Sequence, residues 1–274
     1  MSPSITSPKI LYGTAWKKEK TAELVEQAVF AGFRGIDTAC QPKHYEEPGV
    51  GKALRSLESQ GVSRKEIFIQ TKFTPLNGQD PKRIPYDPKA TLKVQVNQSF
   101  QTSQKNIGSD FIDSLVLHSP LAKMEQTMEV WRAMESLCKE KVVGQIGISN
   151  CYHLDTLKFL YKNAEIKPSV LQNRFYKETN YDKHLRKFCI ENKITYQSFW
   201  TLSANDHILN DTRFKSIARE CKKTEAQILF RYLTLIGIVP LTGTRSKTHM
   251  DEDLEIFTFN LSDKQMQTID SFFR

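Results

Sequence analysis

The chain has 274 residues, 39% of them hydrophobic and 26% charged, which is the composition of an ordinary globular protein with a large core. Its 39 basic and 31 acidic residues give a formal net charge of +8, but the basic residues are dispersed along the chain, so we expect no nucleic-acid partner. No stretch approaches the ~18 consecutive apolar residues of a membrane span.

The cysteines and histidines indicate a cytoplasmic protein without a metal. The five cysteines form no C-x-x-C pair, and their odd number argues against a closed disulfide framework, so we expect them to be reduced. The six histidines lack the spacing of zinc ligands. Residues 1–9 contain no apolar core of a secretory signal. A positive surface is better explained by an anionic cofactor.

Short apolar runs alternate with segments of helical periodicity along the whole chain. We predict strands at 9–13, 34–38, 66–72, 111–118, 141–149, 169–172, 194–199 and 238–241. The predicted helices cover about 21–30, 51–61, 88–107, 124–140, 154–164, 182–192, 214–235 and 261–274, with Asp87 as the N-cap of the third. This alternation, without a linker or a shift in composition, predicts one domain over residues 1–274. The predicted fold class is α/β, a (β/α)8 TIM barrel, with the last helix packed outside it.

Chemically active side chains stand at the ends of three consecutive predicted strands. Asp37, Lys72 and His118 each stand at a carboxyl end, and Tyr45 lies in the loop after the first of these strands. All carboxyl ends lie on one face of a parallel barrel, where such barrels place their active sites. Singly, each residue is better explained by a structural role, for example a rim ion pair between Asp37 and Lys72, than by a catalytic one. Together they indicate a functional site, because desolvating several polar groups at one mouth is costly.

In this order the four residues resemble the Asp, Tyr, Lys and His tetrad of the aldo-keto reductase family. The resemblance extends from Gly13-Thr14 through 146–150 to 240–244. It implies reduction of an aldehyde or ketone, a small-molecule carbonyl substrate, by hydride from NAD(P)H. Tyr45 would be the general acid, Lys72 would favour its ionised form, Asp37 would hold Lys72, and His118 would donate to the carbonyl oxygen. Trp16 would border the substrate together with Tyr45 and His118.

The loop between Asp37 and Val50 departs from the family pattern. Its tyrosine lies further from the aspartate than is usual, and His44 takes the proton-donor position if the loop is aligned on Val50-Gly51. We prefer Tyr45, because Tyr45 and the two glutamates after it resemble the family's Tyr followed by Asn-Glu. The chain also lacks the amino-terminal hairpin and the long carboxyl-terminal loop of fuller members, which predicts a more open substrate mouth.

The same resemblance implies a dinucleotide site along the barrel mouth. Ser149, Asn150 and Gln172 would hold the nicotinamide carboxamide, and Phe199 would stack on the ring. The complete set implied for the cofactor is Thr14, Asp37, Ser149, Asn150, Gln172, Phe199, Trp200, Leu202, Ser203, Thr242, Gly243, Thr244, Arg245, Glu252 and Asp253.

Cofactor choice depends on the adenosine end of that site. The lysine that the family usually has after the strand-eight proline is Leu241 here, and its usual arginine is His249. Arg245 and Lys247 could replace these two cations. We expect Arg245 to lie nearest the 2′-phosphate, and we predict NADPH in preference to NADH.

A second hypothesis comes from another functional class. The barrel could bind the dinucleotide and serve as a regulatory or interaction subunit with negligible turnover. Retention of all four tetrad residues favours the enzyme.

Overall fold

The computed structural model describes residues 7–273. Within them eight parallel strands close into a barrel in chain order. The strands are β1 (Leu11–Gly13), β2 (Gly35–Asp37), β3 (Phe68–Phe73), β4 (Ile112–Leu117), β5 (Val143–Ser149), β6 (Val170–Arg174), β7 (Thr195–Phe199) and β8 (Val239–Thr242). The predicted (β/α)8 barrel is thereby confirmed.

Helices connect the strands and form the outer layer. They are α1 (Thr21–Ala31), α2 (Glu47–Ser59), α3 (Leu92–Ile107), α4 (Met124–Lys139), α5 (Leu154–Asn163), α6 (Lys183–Glu191), α7 (Asp206–Leu209), α8 (Thr212–Cys221), α9 (Glu225–Leu235), α10 (Lys247–Glu255) and α11 (Asp263–Asp270). No helix in residues 7–273 is long and apolar enough to cross a membrane. The expectation about a secretory signal falls mostly on residues 1–6, outside the described part.

The barrel is buried on both faces, which explains its apolar strands. Every residue of β3 and β4 is buried, because helices cover the outside and side chains fill the inside. Apolar faces of the helices supply the outer core, and Trp131 of α4 is fully buried there, its indole Nε1 donating to the Ile166 carbonyl at 3.1 Å. The parallel arrangement brings all strand carboxyl ends to one rim.

Two predicted helix starts are wrong. Helix α2 begins at Glu47, not after Gly51, because the Glu46 carboxylate caps it by accepting from the Gly49 amide at 2.6 Å. Helix α3 begins at Leu92 with Thr91 as its N-cap, not at residue 88 with Asp87. The Asp87 carboxylate accepts instead from the Lys89 amide at 2.9 Å, in a turn that precedes the helix.

The predicted helix 214–235 is two helices, α8 and α9. The chain turns at Lys222, which has a left-handed φ of 54°, and restarts at a capping box formed by Thr224 and Gln227. Apolar periodicity continues across the break because both helices face the same core, so the pattern alone did not reveal it. The short helix α7 and the helix α10 were not predicted.

The tail helix lies in the outer layer. Helix α11 packs against α8, and Phe273 beyond it stacks on Tyr232 with ring centroids 5.3 Å apart. Phe273 also meets the ring of Tyr181 at 4.8 Å. Phe273 is therefore anchored by aromatic contacts with Tyr232 of α9 and with Tyr181, which follows β6, rather than inserted into the barrel.

Candidate active site

A buried ion pair lies at the centre of the barrel mouth. The Nζ atom of Lys72 donates to the Asp37 carboxylate at 2.6 Å and to the Thr38 carbonyl at 2.8 Å. Burial lowers the pKa of Lys72, but Asp37 and Tyr45 beside it outweigh burial, and the pKa is raised overall. Lys72 therefore remains an ammonium at neutral pH.

Tyr45 lies directly beside this ammonium. The Nζ atom of Lys72 is 5.1 Å from the centroid of the Tyr45 ring. Burial raises the pKa of Tyr45, and the Lys72 charge lowers it only in part. The sequence-based expectation that Lys72 favours the ionised phenol thus holds for the direction of its effect, while burial keeps the proton on the tyrosine.

His118 faces Tyr45 across the same cavity, with ring centroids 6.0 Å apart. Burial, followed by the nearby charges of Lys72 and His44, holds the pKa of His118 well below its usual range, so the ring is neutral. Its Nδ1 atom shares a 2.6 Å hydrogen bond with the Thr74 hydroxyl. Nδ1 is thereby occupied, and Nε2 is the nitrogen left for a ligand.

His44 lies in a different contact from Tyr45. Its ring packs on the Trp16 ring at 4.1 Å, and its carbonyl accepts from the Trp16 amide at 2.7 Å. Burial and Lys43 lower the pKa of His44. It lines the same cavity as Tyr45, but Tyr45 is the residue in contact with Lys72.

A network of amides supports Asp37 from inside the barrel. The second oxygen of Asp37 accepts from Gln70 at 2.8 Å and from Gln172 at 3.0 Å. Both amides also donate to Gln197, at 2.7 and 2.9 Å. Ser114 adds a bond to Gln70 at 2.9 Å. These hydrogen bonds fix the orientation of the Asp37 carboxylate. They use the side-chain nitrogen of Gln172 and leave its side-chain oxygen available to a ligand.

The residues expected to hold the nicotinamide carboxamide form hydrogen bonds with one another and with His118. The Asn150 amide donates to the His118 carbonyl at 2.8 Å, and the Ser149 hydroxyl donates to the Gln172 carbonyl at 2.7 Å. Asn150, like the rim residues Trp16 and Trp200, has a left-handed φ, between 52° and 64° for the three. Such conformations cost free energy and cluster at functional sites.

Two cavities meet at the mouth and form one elongated groove. The first, of about 650 Å³, contains the tetrad region, and the second, of about 790 Å³, extends toward α10. Both are bordered by Trp200, Leu241, Thr242 and Gly243. Predicted residues that line the first cavity are Trp16, Asp37, Tyr45, His118, Ser149, Asn150, Gln172, Phe199, Trp200, Thr242, Gly243 and Arg245. Those that line the second are Trp200, Leu202, Ser203, Thr242, Gly243, Thr244, Glu252 and Asp253.

Two predicted residues lie behind the groove. Lys72 is buried beneath Tyr45, and Thr14 is fully buried with its hydroxyl donating to the Asp37 carbonyl at 3.0 Å. Thr14 therefore ties β1 to β2 in this structure.

The cations are distributed differently from the expectation for the 2′-phosphate. Arg245 lines the first cavity and donates to the Trp16 carbonyl, whereas Lys215 lines the second cavity. Carboxylates lie there too, and burial raises the pKa of Asp253 to about 6.

Sequence reasoning missed several lining residues. Lys17 is buried at the junction of the cavities, and its Nζ donates to the carbonyls of Gly243 and Thr244. Burial, with the nearby charge of Arg245, lowers the pKa of Lys17 to about 8. Arg174 is the last residue of β6 and lies two residues beyond the predicted end of that strand. A correct strand boundary would have identified it as a polar residue at a strand carboxyl end, as Asp37, Lys72 and His118 were identified. Thr74 and Lys215 carried no signal in the sequence.

Comparison with known proteins gives a consistent result along the whole chain. The sequence model of the Aldo/keto reductase family matches residues 9–274. A glyoxal reductase of Bacillus subtilis is 30% identical over 252 residues, which cover 92% of this chain and 83% of that protein. The NADPH-dependent alpha-keto amide reductase of Saccharomyces cerevisiae is 29% identical over 279 residues, covering 94% and 83%.

Solved structures agree with the fold. An aldo-keto reductase enzyme from a Medee basin deep-sea metagenome library superposes with a TM-score of 0.81 at 27% identity, covering 96% of this chain and 90% of that one. An aldo/keto reductase from Brucella melitensis gives a TM-score of 0.81 at 28% identity, covering 96% and 94%.

Proposed function

The chain belongs to the aldo/keto reductase family, and from that premise we propose that it reduces an aldehyde or ketone to an alcohol, with Tyr45 as proton donor and NADPH as hydride donor. The observation that carries the proposal is the buried Lys72–Asp37 ion pair beneath Tyr45, with His118 across the same cavity.

The protonation states suit carbonyl reduction. Tyr45, with its raised pKa, holds the proton that a general acid must deliver at neutral pH. The phenolate left behind would be stabilised by the Lys72 ammonium, which Asp37 holds in place. A neutral His118 with its proton on Nε2 would donate a hydrogen bond to the carbonyl oxygen, and this tautomer requires the Thr74 hydroxyl to donate to Nδ1.

The groove fits a nicotinamide dinucleotide. It is elongated, and Gly243 borders both of its cavities; an added Cβ at Gly243 would meet no atom nearer than 3.8 Å, so the backbone here is open to a ligand. Lys17 and Arg245 line the junction side, and Lys215 lines the far cavity, so cations are available for phosphates. When bound, the reduced cofactor would supply the hydride to the carbonyl carbon. Ser149, Asn150 and Gln172 would hold its carboxamide.

Preference for NADPH is supported by Lys215, which lines the second cavity, and by the yeast relative, which is an NADPH-dependent reductase. The carboxylates of Asp206, Glu225, Glu252 and Asp253 line the same cavity and oppose a 2′-phosphate. We propose that a direct contact of Lys215 with the 2′-phosphate outweighs this repulsion.

The test is oxidation of NADPH, followed by absorbance, with a panel of aldehydes and reactive ketones. We expect turnover that Tyr45→Phe removes while NADPH still binds. Binding of NADPH without turnover on any carbonyl of the panel would favour the regulatory subunit instead.

A further inference from the structure

Arg174 is a cation of the first cavity that the proposed chemistry does not use. It lies at the carboxyl end of β6 and lines the cavity together with Tyr45 and His118. Among residues 7–273 its guanidinium forms no ion pair and donates no hydrogen bond, and its Nε atom is buried without a partner. Leaving this buried Nε donor unsatisfied is costly, so a ligand in the cavity is expected to complete it.

The guanidinium is held in a defined orientation. Its central carbon lies 4.2 Å from the centroid of the Trp200 ring and 5.1 Å from that of Tyr176. Trp200 is half exposed at the rim and lines the cavity as well. Stacking on an aromatic ring fixes the plane of the fork and leaves its edge for hydrogen bonds, a geometry that matches a carboxylate.

The other cations that line this cavity or lie behind it have partners. Lys72 is paired with Asp37, and Arg245 donates to the Trp16 carbonyl. Lys17 donates to carbonyls at the junction with the second cavity. Arg174 does not line the second cavity, where the adenosine end of the cofactor is proposed to lie. Asp37 supplies the carboxylate of the first cavity, and it is committed to Lys72.

We propose that Arg174 binds a carboxylate on the substrate, so that the preferred substrates are carbonyl compounds that carry an acid group away from the reacting carbon. This inference rests on the proposed reductase function, whose residues lie in the same cavity. Arg174 would be a substrate-binding residue that sets specificity, acting on the distal acid group while Tyr45 and His118 act on the carbonyl.

The experiment compares each acid with its neutral methyl ester. The substrates are 4-carboxybenzaldehyde against methyl 4-formylbenzoate, and 4-oxobutanoate against methyl 4-oxobutanoate. Within each pair the two aldehydes differ only in the distal group, so the change that a variant causes in the ratio of kcat/KM for acid over ester isolates recognition of the carboxylate. We expect a ratio above one for the native protein.

Arg174→Gln should lower that ratio by about tenfold to a hundredfold, as expected when a charge-assisted pair is lost. The kcat/KM of the esters and the Kd of NADPH should stay close to native. Arg174→Lys should restore part of the ratio, since it keeps the charge but not the planar fork. Arg213→Gln is the matched control, because Arg213 also stacks on an aromatic ring, Phe272, at 4.5 Å but lines neither cavity.

Three outcomes decide the matter. A ratio unchanged by Arg174→Gln overturns the proposal, and so does a variant that weakens NADPH while leaving the ratio intact, since Arg174 would then serve the cofactor. If the native protein reduces neither acid nor ester, the reductase function fails. Calorimetric binding of 4-carboxybenzyl alcohol then still tests Arg174, with loss of binding in Arg174→Gln supporting the carboxylate site and equal binding refuting it.

Discussion

Tyr45 and His44 are neighbours in sequence, but only Tyr45 lies against the Lys72 ammonium, while His44 packs on Trp16. Tyr45→Phe removes one hydroxyl and keeps the ring, so we expect turnover to fall ~100-fold to ~10,000-fold, as for loss of a general acid, with cofactor affinity retained. His44→Gln should have a milder effect. The measurement is kcat on a reactive aldehyde, and loss of turnover in His44→Gln with near-native Tyr45→Phe would reverse the assignment.

Lys72→Met tests the support of the proton donor. The variant leaves the Asp37 carboxylate buried without its partner and leaves the phenolate without its ammonium, so both stability and turnover should drop. We expect a loss of turnover similar to that of Tyr45→Phe. Thermal denaturation separates the two effects, and a variant that remains folded at the assay temperature yet turns over normally would contradict the role of Lys72.

Asp253 gives a pH dependence of stability with a definite sign. Burial raises the pKa of its carboxyl from 3.8 to about 6, so the folded protein holds this proton more tightly than the unfolded chain. Stability is therefore lost as the pH rises through the window between these values. Asp253→Asn removes the titration and should raise the Tm relative to native by a few degrees at pH 7.5 and by roughly half as much at pH 5, which lies inside the window. An equal Tm difference at both pH values would refute the cause.

At the scale of elements, Gly51 sets the packing of α2 on α3. A Cβ at this position would lie 2.1 Å from the backbone oxygen of Asn106 in α3, so the two helix backbones touch here. Gly51→Ala forces them apart and should lower the Tm by several degrees, because backbone cannot move aside as a side chain can. Lys52→Ala, exposed in the same helix, is the control and should be neutral. Since α2 follows Tyr45 directly, Gly51→Ala should also lower kcat more than Lys52→Ala does.

At the scale of the whole molecule, the cations of the groove are divided between its two cavities. Arg245 lines the first cavity, and Lys215 lines the second. Lys215→Gln should therefore weaken NADPH by roughly tenfold and NADH little, while Arg245→Ala should weaken both cofactors alike. Titration calorimetry with each cofactor gives the four affinities. A native preference for NADH would instead assign the adenosine end to its carboxylates.

The sequence by itself determined the barrel and the identity of the strand-end groups. Apolar runs alternating with helical periodicity suffice for this, because a parallel barrel buries its strands on both faces and brings their carboxyl ends to one rim. Asp37, Lys72 and His118 could be recognised from position alone. Helix boundaries could not, since α2 and α3 start at caps, Glu46 and Thr91, whose side chains compete with neighbouring polar residues of similar capping ability.

Only the tertiary structure decided which of these side chains are in contact and in which direction the pKa of each is shifted. Burial raises the pKa of Tyr45 despite Lys72, because desolvation depends on surrounding atoms that no local pattern encodes. The tertiary structure also places Arg245 in the lining of the first cavity. It places Lys215, which belongs to no sequence motif, in the lining of the second. Arg174 and Trp200 meet through the pairing of β6 with β7, a contact between residues 26 positions apart, so its orientation follows from strand register and not from sequence.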